Sequence, residues 1–272
     1  MGLIGGSFAK ATKTRTAHEV FGFDLDKDVM LMARLSGAMD APLEDEKIAE
    51  CDLILVALRP QASEIWVASH LEELSKGKCL VVDICGVKRG VSTAISKLAK
   101  EHGFRYIGGH PMAGKEVSGF VNSTDALFDG ASMILTPDDT VDMKTLEMLK
   151  NYFIDLGFAG LTFTTPEEHD RIIAYTSQLA HIVSGAYVKS ETAQKRRGFS
   201  AGSFRDMTRV ARLDEDMWTE LMLANADNLS MELQTLINNL QCYLDAIEAK
   251  DADALKSCLR EGRLAKANAG GN

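Results

Sequence analysis

Apolar residues fall in short runs through the first 165 positions: HEVFGFD (18–24), DLILVAL (52–58), CLVVDIC (79–85), FRYIGGH (104–110) and SMILTP (132–137). Between them, DKDVMLMARLSGAMD (26–40) and RGVSTAISKLAKEHG (89–103) repeat their apolar positions at helical spacing. Strands alternating with helices of this length predict βαβ units and a parallel sheet covered on both faces. The near-continuous apolar runs agree, because a strand buried on both sides need not alternate. The texture changes at TTPEEHD (164–170), which reads as a helix start with Thr or Pro at the cap and acids in the first turn. Beyond it the pattern is helical to the frayed tail AKANAGGN, and no internal repeat is visible. The expected fold is α/β: a Rossmann-like sheet domain over 1–165, then an all-helical domain over 166–272, with a ligand cleft between them.

Composition narrows the chemistry. With 30 basic and 39 acidic residues the net charge is −9, which disfavours nucleic acid and anionic membranes as partners. No apolar stretch approaches the ~18–20 residues of a membrane helix, and no secretory leader is recognisable. Five cysteines in no metal-binding pattern fit a reducing, cytoplasmic setting. The helical half holds more apolar periodic sequence than one small core can hide. WTELMLANADNLSMELQTLINNL (218–240) is therefore the expected seam of a homodimer.

The chain opens MGLIGGS, so Gly2 and Gly5 are spaced as the last two glycines of GxGxxG. Glycine there lets the backbone around Leu3 and Ile4 approach a pyrophosphate at a helix N-terminus, and Gly6 and Ser7 continue into that helix. Asp24, nineteen residues past Gly5, is placed to receive ribose hydroxyls and to repel a 2′-phosphate. The expected cofactor is NAD. The first glycine and the strand preceding it are absent, a serious loss because that strand is central in a doubly wound sheet. A start placed too late, a truncation and a degenerate gene all explain this, and the first is preferred. Extension upstream by about 6–12 residues is expected to restore the strand, raise the melting temperature and tighten NAD binding.

GGHPMAGKEVSG (108–119), with GLIGGS (2–7), SQLAH (177–181) and AGSFRDMTRVA (201–211), resembles the prephenate dehydrogenase family over nearly the whole chain. The resemblance implies oxidative decarboxylation of prephenate, or of arogenate, with a nicotinamide cofactor, and a helical dimerisation domain. It makes His110 the residue that takes the substrate hydroxyl proton, and Glu116 a carboxylate at the site mouth. Ser177 and His181, four apart and so on one helix face, become part of the substrate pocket. Arg209 becomes the carboxylate grip, with Arg205 and Arg212 as neighbours. Gly202 and Ser203 form the turn that presents it, and Trp218 reaches the pocket of the partner subunit.

In DICGVK (83–88), Gly86 stands where many family members carry serine, while Asp83 and Lys88 are retained beside the nicotinamide. Cys85 reads as a packed small residue rather than a nucleophile. The expectation is a monofunctional NAD-dependent prephenate dehydrogenase. The alternatives are an arogenate dehydrogenase and a dimeric protein whose nucleotide site has decayed.

Overall fold

The computed structural model describes residues 1–138, 141–199 and 202–270. Helix α1 (Leu3–Arg15) comes first, then strand β1 (Phe21–Gly22), α2 (Lys27–Leu35), β2 (Ala41–Pro42) and α3 (Asp45–Ile48). Strand β3 (Leu53–Val56) is followed by α4 (Pro60–Ser69), α5 (Leu71–Lys76), β4 (Leu80–Asp83), α6 (Arg89–His102) and β5 (Arg105–Pro111). Strand β6 (Ser132–Thr136), α7 (Met143–Asp155) and β7 (Gly160–Phe163) complete the sheet half. No strand follows Phe163 among the described residues. Helices α8 (Pro166–Ile173), α9 (Ala180–Val188), α10 (Glu191–Gln194), α11 (Gly202–Thr208), α12 (Glu215–Ala224), α13 (Ala226–Glu248) and α14 (Ala252–Ala269) make up the rest.

Local chemistry accounts for several boundaries. Asp26 caps α2, accepting from the Asp28 amide at 2.8 Å. Thr165 caps α8 through the Glu168 amide at 3.2 Å, with Pro166 in the first turn. Helix α6 ends on Gly103, whose left-handed φ of 77° lets its amide reach back to Ala99. All four residues of β4 are buried. Leu80 and Val82 pack with Phe8, Phe128 and Phe153 on one face, and Val81 packs with Val67, Val91 and Ile95 on the other. The apolar run thus serves two cores at once.

The strand order is β3-β4-β5-β6-β7, parallel except where β6 lies antiparallel to β5. The sheet is thus parallel as expected but for this one reversal. Residues 112–131 carry only a short 3₁₀ turn at Phe120–Asn122, not the crossover helix that a parallel return requires. Strands β1 and β2 form a separate parallel pair. Between β1 and β3 lies an open slot of about 540 Å³, lined by Phe8, Thr12, Phe21, Ile54, Val56 and Tyr152.

Close strand contact explains the glycines before His110. A Cβ on Gly109 would sit 2.8 Å from the Asp83 carbonyl oxygen and 2.7 Å from Met133 Cε. Gly109→Ala is therefore expected to destabilise the protein by about 1–3 kcal/mol, as overpacking does. Urea denaturation measures this, and an unchanged midpoint would mean the strands yield freely.

Candidate active site

On the cofactor side, α1 begins at Leu3 with Gly2 as its cap residue, and no side chain caps it. The amides of Leu3, Ile4 and Gly5 precede the first intrahelical bond, from the Gly6 amide to the Gly2 carbonyl at 2.9 Å. A Cβ on Gly2 would meet nothing within 4 Å, so the approach to these amides is open. A Cβ on Gly5 would lie 2.9 Å from Ala57 Cβ, which is how closely α1 packs on the chain leaving β3. Asp24 accepts from the Asp26 amide at 2.9 Å and from the Met1 amino group at 2.7 Å, so its carboxylate faces the start of α1. Open helix-start amides with a carboxylate beside them suit a pyrophosphate and a ribose diol.

Asp83 and Lys88 correct an expectation. Both side chains are fully buried and paired with each other, and Asp83 also accepts from Tyr106 Oη at 2.6 Å and from the Cys85 amide at 3.0 Å. Their charges are spent inside the protein, where they brace the 83–88 loop rather than offering themselves to a cofactor. Burial, then the Asp83 charge, pushes the Cys85 thiol up to about 12, so it stays protonated and inert. A Cβ on Gly86 would stand 3.4 Å from Leu221 in α12, an ordinary contact, so this loop meets the helical half directly.

His110 is the penultimate residue of β5, and its Nδ1 lies 2.9 Å from His169 Nε2. His169 Nδ1 in turn lies 2.7 Å from Asp170 Oδ1. Asp170 also accepts the Lys88 amide at 2.7 Å and the Arg89 amide at 2.9 Å, so this residue of α8 caps α6. Burial would raise the Asp170 pKa, but these hydrogen bonds outweigh it and hold the group ionised. Burial drives the His110 pKa well below the ordinary histidine value, and His169 and Lys88 push the same way. His169 and Asp170 were not recognised as site residues in the sequence, where they read only as part of a helix start.

A second group gathers at the mouth. Arg209, at the start of a 3₁₀ turn after α11, forms an ion pair with Glu116 from the loop beyond β5, and both are exposed. His181 donates from Nδ1 to the Val210 carbonyl at 2.9 Å. Burial lowers the His181 pKa, with the Val210 hydrogen bond opposing and the Arg209 charge assisting. Trp218 lies on His181 with ring centroids 3.9 Å apart. This places Trp218 against its own chain's pocket histidine, where the resemblance led us to expect it to reach a partner's pocket. Ser177 sits half-buried in a π-helical turn, Ala174–Leu179, between α8 and α9. Such a turn offsets the helix by one residue and is frequent at functional sites. Gly202 opens α11, exposed, with Ser203 beside it.

Both halves of the chain match known proteins. The nucleotide-binding domain of prephenate dehydrogenase matches residues 8–159, and the dimerisation domain of the same enzyme matches residues 165–261. The chain belongs to the prephenate dehydrogenase family. It is 31% identical over 277 residues to a cyclohexadienyl dehydrogenase of Zymomonas mobilis, covering 98% of this chain and 92% of that one. It is 27% identical over 263 residues to a prephenate dehydrogenase of Bacillus subtilis, covering 94% of this chain and 70% of the relative. The crystal structure of Aquifex aeolicus prephenate dehydrogenase with hydroxyphenyl propionate and NAD+ superposes with a TM-score of 0.81 at 25% identity. That match covers 99% of this chain and 96% of the other.

The helical half is the dimerisation domain of this family, and its surface shows why it needs a partner. Of the 23 residues of α13 only Leu229 and Ala246 are buried, and α14 buries none. Met231, Ile237, Leu240, Leu244, Ile247 and Leu259 stand exposed along these two helices. Such a face suits burial against a second subunit.

Proposed function

We propose that this chain oxidatively decarboxylates prephenate to 4-hydroxyphenylpyruvate, with NAD as hydride acceptor, as a homodimer in tyrosine biosynthesis. Residues 1–165 carry the nucleotide and residues 166–272 the dimer seam and much of the substrate pocket. The observation that carries the reading is His110: a neutral imidazole at the carboxyl end of a sheet strand, hydrogen-bonded through Nδ1. Bound NAD supplies the site that receives the hydride. His110 takes the ring hydroxyl proton as that hydride leaves, loss of carbon dioxide then aromatises the ring, and the ring oxygen takes the proton back to give the phenol. The α1 amides hold the pyrophosphate and Asp24 the ribose. Ser177, His181 and Trp218 bound the substrate, with Gly202 shaping the segment that carries Arg209. The five free cysteines suit a reducing cytoplasm.

Arg209 grips a substrate carboxylate, for which it must first leave Glu116. Arg209→Ala is expected to raise KM by about 10-fold or more with a smaller change in kcat, since a charge-assisted carboxylate contact is worth ~1.5–3 kcal/mol. Steady-state kinetics separates the two constants, and a loss confined to kcat would contradict the role.

Purified protein offered prephenate and arogenate, each with NAD and NADP, tests the whole reading through nicotinamide absorbance. Turnover of prephenate with NAD, and clearly poorer turnover with NADP, is the expected result. Equal or better turnover with NADP would overturn the role of Asp24, whose carboxylate opposes a 2′-phosphate. No turnover with either substrate would overturn the function.

A further inference from the structure

We propose that His169 and Asp170 are positioning residues that fix the tautomer of His110, leaving its Nε2 bare as the proton-accepting atom. The inference rests on the functional reading above and adds the means by which the base is set.

The argument runs from the carboxylate outward. Asp170 is completely buried and ionised, so its oxygens only accept. Oδ2 takes the Arg89 amide, and Oδ1 takes the Lys88 amide and His169 Nδ1. His169 must therefore carry its proton on Nδ1, which leaves the Nε2 lone pair turned outward. That lone pair faces His110 Nδ1 at 2.9 Å, so His110 donates from Nδ1. His110 is kept neutral, and a neutral imidazole has one N–H. Its Nε2 is then the unprotonated nitrogen, the state a general base needs. His169 is 1% exposed, so water does not compete for either of its nitrogens.

The frame spans both halves of the molecule. Asp170 and His169 ride on α8, while the Lys88 and Arg89 amides begin α6 and His110 lies near the end of β5. Asn225 secures the frame from the far side, donating to the Asp170 carbonyl at 2.8 Å and to Gln178 Oε1 at 2.9 Å. The base is competent only when the helical half is docked on the sheet half.

The test uses the full-length protein labelled with ¹⁵N-histidine, alongside His169→Phe and His169→Gln. Long-range ¹⁵N–¹H spectra of the NAD-bound protein should show His110 as the Nδ1–H tautomer. His169→Phe, which offers no acceptor, should lower kcat ~10²-fold with KM within about three-fold, and the His110 signal should lose that tautomer. His169→Gln should recover most of kcat, because its carbonyl oxygen accepts from His110 while its amide donates to Asp170. A wild-type spectrum with the proton on His110 Nε2 would overturn the proposal, as would an unchanged kcat in His169→Phe. So would a glutamine variant as slow as the phenylalanine one, with both melting lower to the same extent, because the role would then be structural. The spectrum needs no turnover. A bare Nε2 in a protein that does not oxidise prephenate would refute the functional reading and leave this one standing.

Discussion

His110→Asn is expected to turn over ~10²–10⁴-fold more slowly than the wild type, with only a modest change in substrate binding. Asparagine fills part of the same space and can still hydrogen-bond, but it cannot take a proton. The hydroxyl proton must then leave to water from a site built to exclude it, and that step becomes limiting. The pH profile supplies an independent reading. Burial first, then its neighbours His169 and Lys88, holds His110 neutral well below the ordinary histidine range. The acid limb contributed by this base should accordingly fall below pH ~6.5, the unperturbed histidine value. The same shift has a stability sign: the unfolded chain binds a proton near that pH and the native His110 does not. Stability from this group is therefore present above that pH and is lost as pH falls through it. Single-turnover kinetics and a kcat–pH series check both parts. A variant retaining kcat within a few-fold would move the base elsewhere.

Lys88→Met should lower stability by about 3–5 kcal/mol, because it strands the Asp83 carboxylate inside the protein without its counter-charge. Lys88 is among the largest fully buried side chains, and Asp83 is equally inaccessible. The Tyr106 hydroxyl and the Cys85 amide continue to donate to Asp83, but neither neutralises it. At roughly 2–4 °C per kcal/mol for a chain of this size, the melting temperature should drop by about 10–15 °C. Adding Asp83→Asn to Lys88→Met should return much of that loss, since the orphaned charge is then gone. Calorimetry on the two variants decides the matter, and a single variant melting within 2 °C or so of wild type would show that water reaches the pair.

What the sequence disclosed follows from which forces act locally. The runs at 79–85 and 104–110 announced themselves because burial on both faces demands continuous apolar residues. Thr165 was legible as a cap because capping is settled within four residues. Strand direction is not local: SMILT reads the same whether β6 runs up or down, and only the missing crossover helix decides it. Strand β7 carried little signal, as Gly160–Phe163 has no fully buried residue. At the site, His110 and Glu116 were visible through their motif. His169 was not, because its meaning lies in a partner 59 residues away. Asp83 and Lys88 were noticed as charges beside a cofactor loop, yet nothing in a sequence says that two charges will turn inward and consume each other.

The apolar face along α13 and α14 sets how the protein associates. Two like surfaces meeting about a dyad satisfy each other completely, so that assembly closes at two subunits and stops. Concentration then governs how many chains are paired, not how large the assembly grows.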